Sequence, residues 1–231
     1  MITLVADHEG EEVVRVVLGH GADPAATLLR AGWSGRPVEV RRPHPGDLVI
    51  RYAVEPVAGE PPSASADVGS ARVSVDADLT ADDLARAVRH QRVAAYAVVT
   101  SHRGVLLTEL SERTNAAGLW NLPGGGLDPG ETPEEALHRE VFEETAQRVR
   151  DIRLLTVQSG HWVGRSPGGR VEDYHAVRVF HTATCPDPTD PVVHDVGGST
   201  ARAAWVRAEH LVRFPLAGSV AEALTAAGLL G

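Results

Sequence analysis

Between Leu122 and Gln147 the chain reads LPGGGLDPGETPEEALHREVFEETAQ, a glycine-rich segment running into an acidic helix. Gly124, Gly125 and Gly126 lack Cβ atoms, which frees the backbone for positive φ and for close approach to a phosphate or a metal ion. Pro129-Gly130 adds a turn signal. Thr132, Pro133 and Glu135 then spell a capping box with proline at the first helical position, so a helix is expected from there. On that helix Glu140, Glu143 and Glu144 stand at i, i+3 and i+4, three carboxylates on one side. Carboxylates packed this way repel one another unless a cation lies among them. Oxygen-only donors suit Mg²⁺ or Mn²⁺, and Mg²⁺ commonly shares its shell with substrate phosphates.

The spacing is more specific than the composition. Gly125 is followed after five residues by Glu131, and seven more lead to Arg139-Glu140-Val141. Glu143-Glu144 stand one residue further on. This pattern resembles the Nudix box of the Nudix hydrolases, G-x5-E-x7-R-E-U-x-E-E-x-G-U with U aliphatic, at every charged position. Ala146 and Gln147 depart from it, standing where the family has glycine and an aliphatic residue. The resemblance implies an α/β/α sandwich with a mixed sheet, and hydrolysis of a nucleoside diphosphate linked to a further group. It implies Mg²⁺ or Mn²⁺ held by Glu140, Glu143, Glu144 and a backbone carbonyl near Gly124. Gly124, Gly125 and Gly126 are then expected against the substrate, and Arg139 paired with Glu131, holding the turn on the helix.

The general base is left open by the same comparison. It is a box glutamate, with Glu143 or Glu140 first, or an acid of a downstream loop: Glu172, Asp173, Asp190 or Asp195. Many relatives carry an acid shortly before the tryptophan of the next strand, whereas here Ala201-Arg202-Ala203-Ala204 precede Trp205. The segment Ser159 to Gly164 matches none of the family's substrate signatures, and its Trp162 is either a platform for a nucleobase or a core residue. A nucleotide, a nucleotide sugar or a dinucleotide therefore all stand as substrates. The competing function is a Nudix-fold binding or regulatory module without turnover. Such modules usually lose charged box residues, and this chain keeps all five.

Composition narrows the remaining classes. The 231 residues carry 22 basic and 31 acidic side chains, a formal net charge of -9. That balance argues against a general nucleic-acid surface or an anionic membrane, but not against a small phosphorylated ligand beside a bound cation. One cysteine, Cys185, excludes an intrachain disulfide framework and a cysteine metal cluster. No apolar run reaches the roughly 18 to 20 residues of a membrane span, and Asp7, His8 and Glu9 interrupt the apolar start, so a cytoplasmic protein is expected.

Residues 1–75 read as a small α/β unit of unassigned role, ending in a Pro/Ala/Ser-rich linker over 57–70; residues 76–231 read as the Nudix-like domain. In the first part, strands are expected at Ile2 to Ala6, Val13 to Leu18, Val38 to Arg42 and Leu48 to Val54, with a helix over Ala25 to Ala31. His8, His20 and His44 are scattered and read as surface or capping residues. Leu79 to Arg92 is expected as a helix with Thr80 as N-cap and Leu84, Ala87 and Val88 as its buried stripe. Strands follow at Ala94 to Thr100, Gly104 to Leu110, Ile152 to Gln158 and Val171 to Thr182, and Ser219 to Leu230 closes the chain as a helix. The first unit would serve to bind a partner or to form a homodimer.

Overall fold

The structure, a computed structural model, describes residues 1–58, 73–166 and 168–231. The linker expected over 57–70 falls largely outside them. In chain order the elements are β1 (Ile2–His8), β2 (Glu11–Val17), α1 (Pro24–Arg30), β3 (Trp33–Arg41), β4 (Leu48–Pro56), β5 (Val73–Val75) and α2 (Ala81–Arg86). They continue with β6 (Val88–Ser101), β7 (Gly104–Leu110), β8 (Trp120–Asn121), β9 (Gly124–Gly126), α3 (Pro133–Thr145), β10 (Arg150–Arg165) and β11 (Val171–Thr184). β12 (Thr200–Val206), a 3₁₀ turn (Ala208–Arg213) and α4 (Gly218–Ala226) complete the chain. These elements pack into two compact units: Met1–Val93 with Val157–Arg178, and Ala94–Thr156 with Val179–Gly231.

The first unit holds a four-stranded sheet in the order β2-β1-β4-β3, with β1 parallel to β4 and the other pairs antiparallel. Alternate residues of β4, Leu48, Ile50, Tyr52 and Val54, are all buried, as the period of two requires. They pack with Ile2, Leu4 and Ala6 of β1, Leu28 of α1 and Val177 of β11. Asp23 caps α1, its carboxylate accepting from Ala26 N at 2.8 Å. β5 pairs in parallel with β10, Val73–Val75 against His161–Val163.

The helix expected over Leu79 to Arg92 is only six residues long. Its start is as expected: Thr80 and Asp83 exchange the reciprocal bonds of a capping box. Its end is not, because Ala87 turns to ψ 126° and the chain enters β6. Leu84 and Val88, expected as a buried stripe, are instead exposed. Ala-Val-Arg-His-Gln-Arg-Val offers no more apolar positions at helical than at strand spacing, so local propensity did not decide here.

In the second unit the two faces of β6 are divided between two helices. Ala95, Ala97 and Val99 meet Ala136, Leu137 and Val141 of α3, with Leu106 and Ala183 beside them. Val98, with Tyr96 beside it, points the other way and packs with Phe180, Trp120 and Leu122 against Val220, Ala223 and Leu224 of α4. Sheet covered by helix on both faces is the α/β sandwich expected. Alanine at 95 and 97 keeps the sheet surface low, which lets α3 approach closely; each fully buried leucine such as Leu137 contributes about 1.5–3 kcal/mol.

His181 is buried in this unit, and burial pushes its imidazole down to about 4. The fold therefore holds it neutral while the unfolded chain protonates near 6.5, so its contribution is present above that value and is lost as pH falls toward 4. Chemical denaturation at pH 4, 5, 6 and 7 should show wild-type stability falling faster toward acid than that of His181→Gln. Parallel profiles would contradict the assignment.

Candidate active site

The glycine segment is a strand where a turn was expected. Gly124, Gly125 and Gly126 form β9 and pair with Tyr96, Ala95 and Ala94 of β6. Gly124 has φ +140°, and a Cβ there would lie 2.2 Å from the Ala95 carbonyl oxygen. Its missing side chain is thus required by the sheet itself. At Gly125 a Cβ would lie 2.5 Å from Glu140 Oε1, so this glycine leaves room for a box carboxylate.

Helix α3 starts at its expected capping box: Thr132 Oγ1 accepts from Glu135 N and the Glu135 carboxylate accepts from Thr132 N. One turn later Arg139 lies over the strand–helix loop. Its Nε and Nη2 donate to the two oxygens of Glu131 at 2.9 and 2.8 Å, a fork geometry that fixes both partners. Nη2 also donates to the Gly126 carbonyl at 3.1 Å, and Nη1 to Glu140 at 2.8 Å and Glu143 at 3.4 Å. Glu131 in turn accepts from Asp128 N at 2.8 Å.

The three box carboxylates differ in exposure: 45% for the Glu143 side chain, 16% for Glu140, and 5% for Glu144 as a residue. Glu144 accepts from Gly124 N at 2.9 Å and from the Thr200 hydroxyl. Burial pushes its carboxyl up to about 7; the bonds from Thr200 and Gly124 oppose this, and the charges of Glu140 and Asp195 reinforce it. A carboxyl raised in the fold has its stabilising share below its ordinary value of 4.5 and loses it as pH rises through about 7. Above that pH an ionised, buried Glu144 stands beside other acids, the setting in which a cation relieves strain.

The donor set fits a hard divalent cation, being all oxygen and crowded with negative charge. In this conformation the donors face different partners, Glu144 toward Gly124 and Thr200, and Glu140 and Glu143 toward Arg139. A cation shared among them would compete with the guanidinium for Glu140 and Glu143.

Sequence reasoning did not single out Thr200, and it ranked Asp195 among four loop acids. The loop before β12 folds back on the end of α3, where His194 N and Asp195 N donate to the Glu143 carbonyl at 2.7 and 3.2 Å, and Val192 N to the Thr145 carbonyl at 3.0 Å. These bonds satisfy the carbonyls that a helix end leaves unpaired and place Asp195 where its charge acts on Glu144. Of the other three, Asp190 is exposed and pairs with Arg103 at 2.6 Å, and Glu172 and Asp173 belong to the first unit. Trp162 also belongs to that unit, and its indole N–H donates to Asp76 at 2.9 Å.

Both departures from the box pattern have a local account. Ala146 ends α3 in the left-handed region at φ 58°, ψ 16°, the conformation that glycine adopts freely. Gln147 is buried, its amide bonding Thr189 N, the Thr189 hydroxyl and the Thr145 carbonyl at 3.0 Å each, so a polar side chain pins the 187–190 loop where an aliphatic one would pack. Alanine in the left-handed region costs about 1–2 kcal/mol, part of which glycine returns as chain entropy. Ala146→Gly should therefore raise the melting temperature by about 1–4 °C. A fall in melting temperature by differential scanning fluorimetry would show that the αL strain is compensated.

The family model of the NUDIX domain matches residues 89–226, leaving 1–88 outside the match. An RNA pyrophosphohydrolase of Photobacterium profundum is 48% identical over 44 residues, 19% of this chain and 25% of that protein. One of Yersinia enterocolitica is 53% identical over 36 residues, 16% of this chain and 21% of the other. The chain thus spans a quarter or less of the length of these curated relatives. Among solved structures, a MutT NUDIX hydrolase from Burkholderia pseudomallei is 26% identical, covering 59% of this chain and 97% of that one at a TM-score of 0.48. The NUDIX domain of Shewanella oneidensis NrtR, complexed with ADP ribose, is 21% identical over 66% of this chain and 93% of that one, with a TM-score of 0.43.

Proposed function

Because this chain belongs to the Nudix hydrolase family, we propose that it is a divalent-metal-dependent pyrophosphohydrolase cleaving a phosphoanhydride bond in a nucleoside diphosphate linked to another group. The observation that carries this reading is the assembled charge set: Glu131 and Arg139 clamped together, with Glu140, Glu143 and Glu144 on one helix side beside β9. A binding module without turnover has no need to keep all five.

Glu140, Glu143, Glu144 and the Gly124 carbonyl would hold Mg²⁺ or Mn²⁺, which when bound supplies neutralisation of phosphate charge and polarisation of the attacking water. Arg139 holds Glu131 and the Gly126 carbonyl, fixing the end of β9, the strand along which the substrate's phosphates would rest. Glu143, the most exposed of the three glutamates, is the group best placed to accept a proton from water, and Asp195 is the alternative. Thr200 orients the Glu144 carboxylate through its hydroxyl.

The net charge of -9 favours a small nucleotide over a nucleic acid as substrate.

The test is a hydrolysis screen with Mg²⁺ and Mn²⁺ over nucleoside triphosphates, nucleotide sugars, ADP-ribose, dinucleotides, coenzyme A and a 5′-triphosphorylated RNA. On the best substrate, Glu143→Gln and Glu140→Gln should each lower kcat at least about a hundredfold with melting curves intact, the scale of losing one well-placed stabilising group. Wild-type turnover in both variants would remove the active site from this helix. No hydrolysis of any compound, with nucleotide binding retained, would favour the binding module.

A further inference from the structure

The first unit contains a convergence of metal-ligating groups that the Nudix reading does not use. Among the described residues, His20, His161 and Asp173 bring one ligand atom each within 4.8 Å of one another. The reading of His20 as an isolated surface or capping residue is corrected by this geometry. His20 Nε2 lies 2.9 Å and His161 Nε2 2.5 Å from the same oxygen, Asp173 Oδ1. The three come from separate segments: the loop after β2, β10 and β11. All lie in one unit, and their side chains are only 19%, 12% and 19% exposed.

The surroundings hold the three groups in place. Gly21 follows His20 at φ +74°, and a Cβ there would lie 2.6 Å from His161 Nδ1, so the His161 ring fills space that only glycine leaves. His175 stands edge-on to both rings, 5.5 Å from His20 and 6.2 Å from His161. Its own nitrogens are taken by Gln91 and Ser159 at 2.9 and 2.8 Å, so it acts as a wall and not as a ligand. Arg89 lies 3.6 Å from the second oxygen of Asp173, leaving Oδ1 to the two imidazoles.

We propose that His20, His161 and Asp173 bind a divalent transition-metal ion, Zn²⁺ first, which fastens the β10–β11 hairpin to the loop after β2. Two imidazoles and one carboxylate match the donor preference of Zn²⁺ and differ from the oxygen-only box, so the two sites select different metals. A tetrahedral Zn²⁺ with bonds of about 2.0–2.2 Å needs ligand atoms about 3.4 Å apart. Each imidazole nitrogen must therefore part from Asp173 Oδ1 by less than about 1 Å to admit it. Three protein ligands leave a further coordination position for water or an added ligand.

The experiment uses the full chain, stripped with chelator and kept in excess Mg²⁺ so that the box is not the preferred site. Co²⁺ is titrated while visible absorption is followed, and Zn²⁺ retained after desalting is counted by elemental analysis. We expect an imidazole-ligated Co²⁺ band that Zn²⁺ displaces, one Zn²⁺ retained per chain, and a rise in melting temperature with Zn²⁺. The band and the retained ion should be lost in His20→Gln and in Asp173→Asn, and kept in Glu144→Gln. His20→Gln lies in a loop, and the wild-type band needs no variant, so poor folding of Asp173→Asn leaves the test intact. A wild type without band or retained Zn²⁺, or one matched by His20→Gln, would overturn the proposal and leave a hydrogen-bonded His–Asp–His set. Loss of the band in Glu144→Gln alone would assign the ion to the box and equally overturn it.

Discussion

The Arg139 guanidinium is the interaction on which the site depends. One side chain on α3 ties Glu131, the Gly126 carbonyl, Glu140 and Glu143 together, so the loop from β9, the helix start and two of three box glutamates share one positive charge. Its hydrogen bonds to Glu131 keep it firmly protonated. The fork geometry explains why arginine serves here and lysine would not, since a single ammonium cannot meet both oxygens of Glu131 in plane. What Arg139 does not reach is Glu144. Among the described residues that carboxyl accepts from a backbone N–H and a threonine hydroxyl, and this imbalance is what the proposed cation would relieve.

The sandwich supplies the rigidity. Because β6 turns Ala95, Ala97 and Val99 to α3 and Tyr96 and Val98 to the opposite layer, the helix bearing the carboxylates is seated on a sheet that is itself packed from behind by α4. β9 pairs with that same strand, so the Gly124 N–H that meets Glu144 and the helix that carries Glu144 are positioned by one element. Such a frame fixes the backbone from which the three carboxylates extend, and leaves their side chains to settle on a ligand.

Much of this was legible in the sequence because it is local. Capping at Thr132 and Thr80, the hairpin strands of the first 56 residues and the Arg139–Glu131 pair each depend on residues fewer than ten apart, or on a period of two or 3.6. What was hidden depends on topology. Thr200 meets Glu144 across 56 positions and His20 meets Asp173 across 153, and no spacing rule carries such distances. The glycine segment was hidden differently: three glycines signal freedom, and here the close pairing of β9 with β6 used it. Ala146 shows the reverse case, a residue forced into a glycine's conformation by the helix end it terminates.

The central claim is that buried Glu144 is held for a cation, and thermal unfolding at pH 8 across Mg²⁺ concentration tests it most directly. At that pH the wild-type carboxyl is largely ionised, with no cationic side chain paired to it among the described residues, so Mg²⁺ should raise the wild-type melting temperature through preferential binding to the fold. Glu144→Gln keeps the shape without the charge. It should melt higher than wild type in the absence of metal and respond little to Mg²⁺. Equal Mg²⁺ responses in the two proteins, or no response in either, would contradict the account.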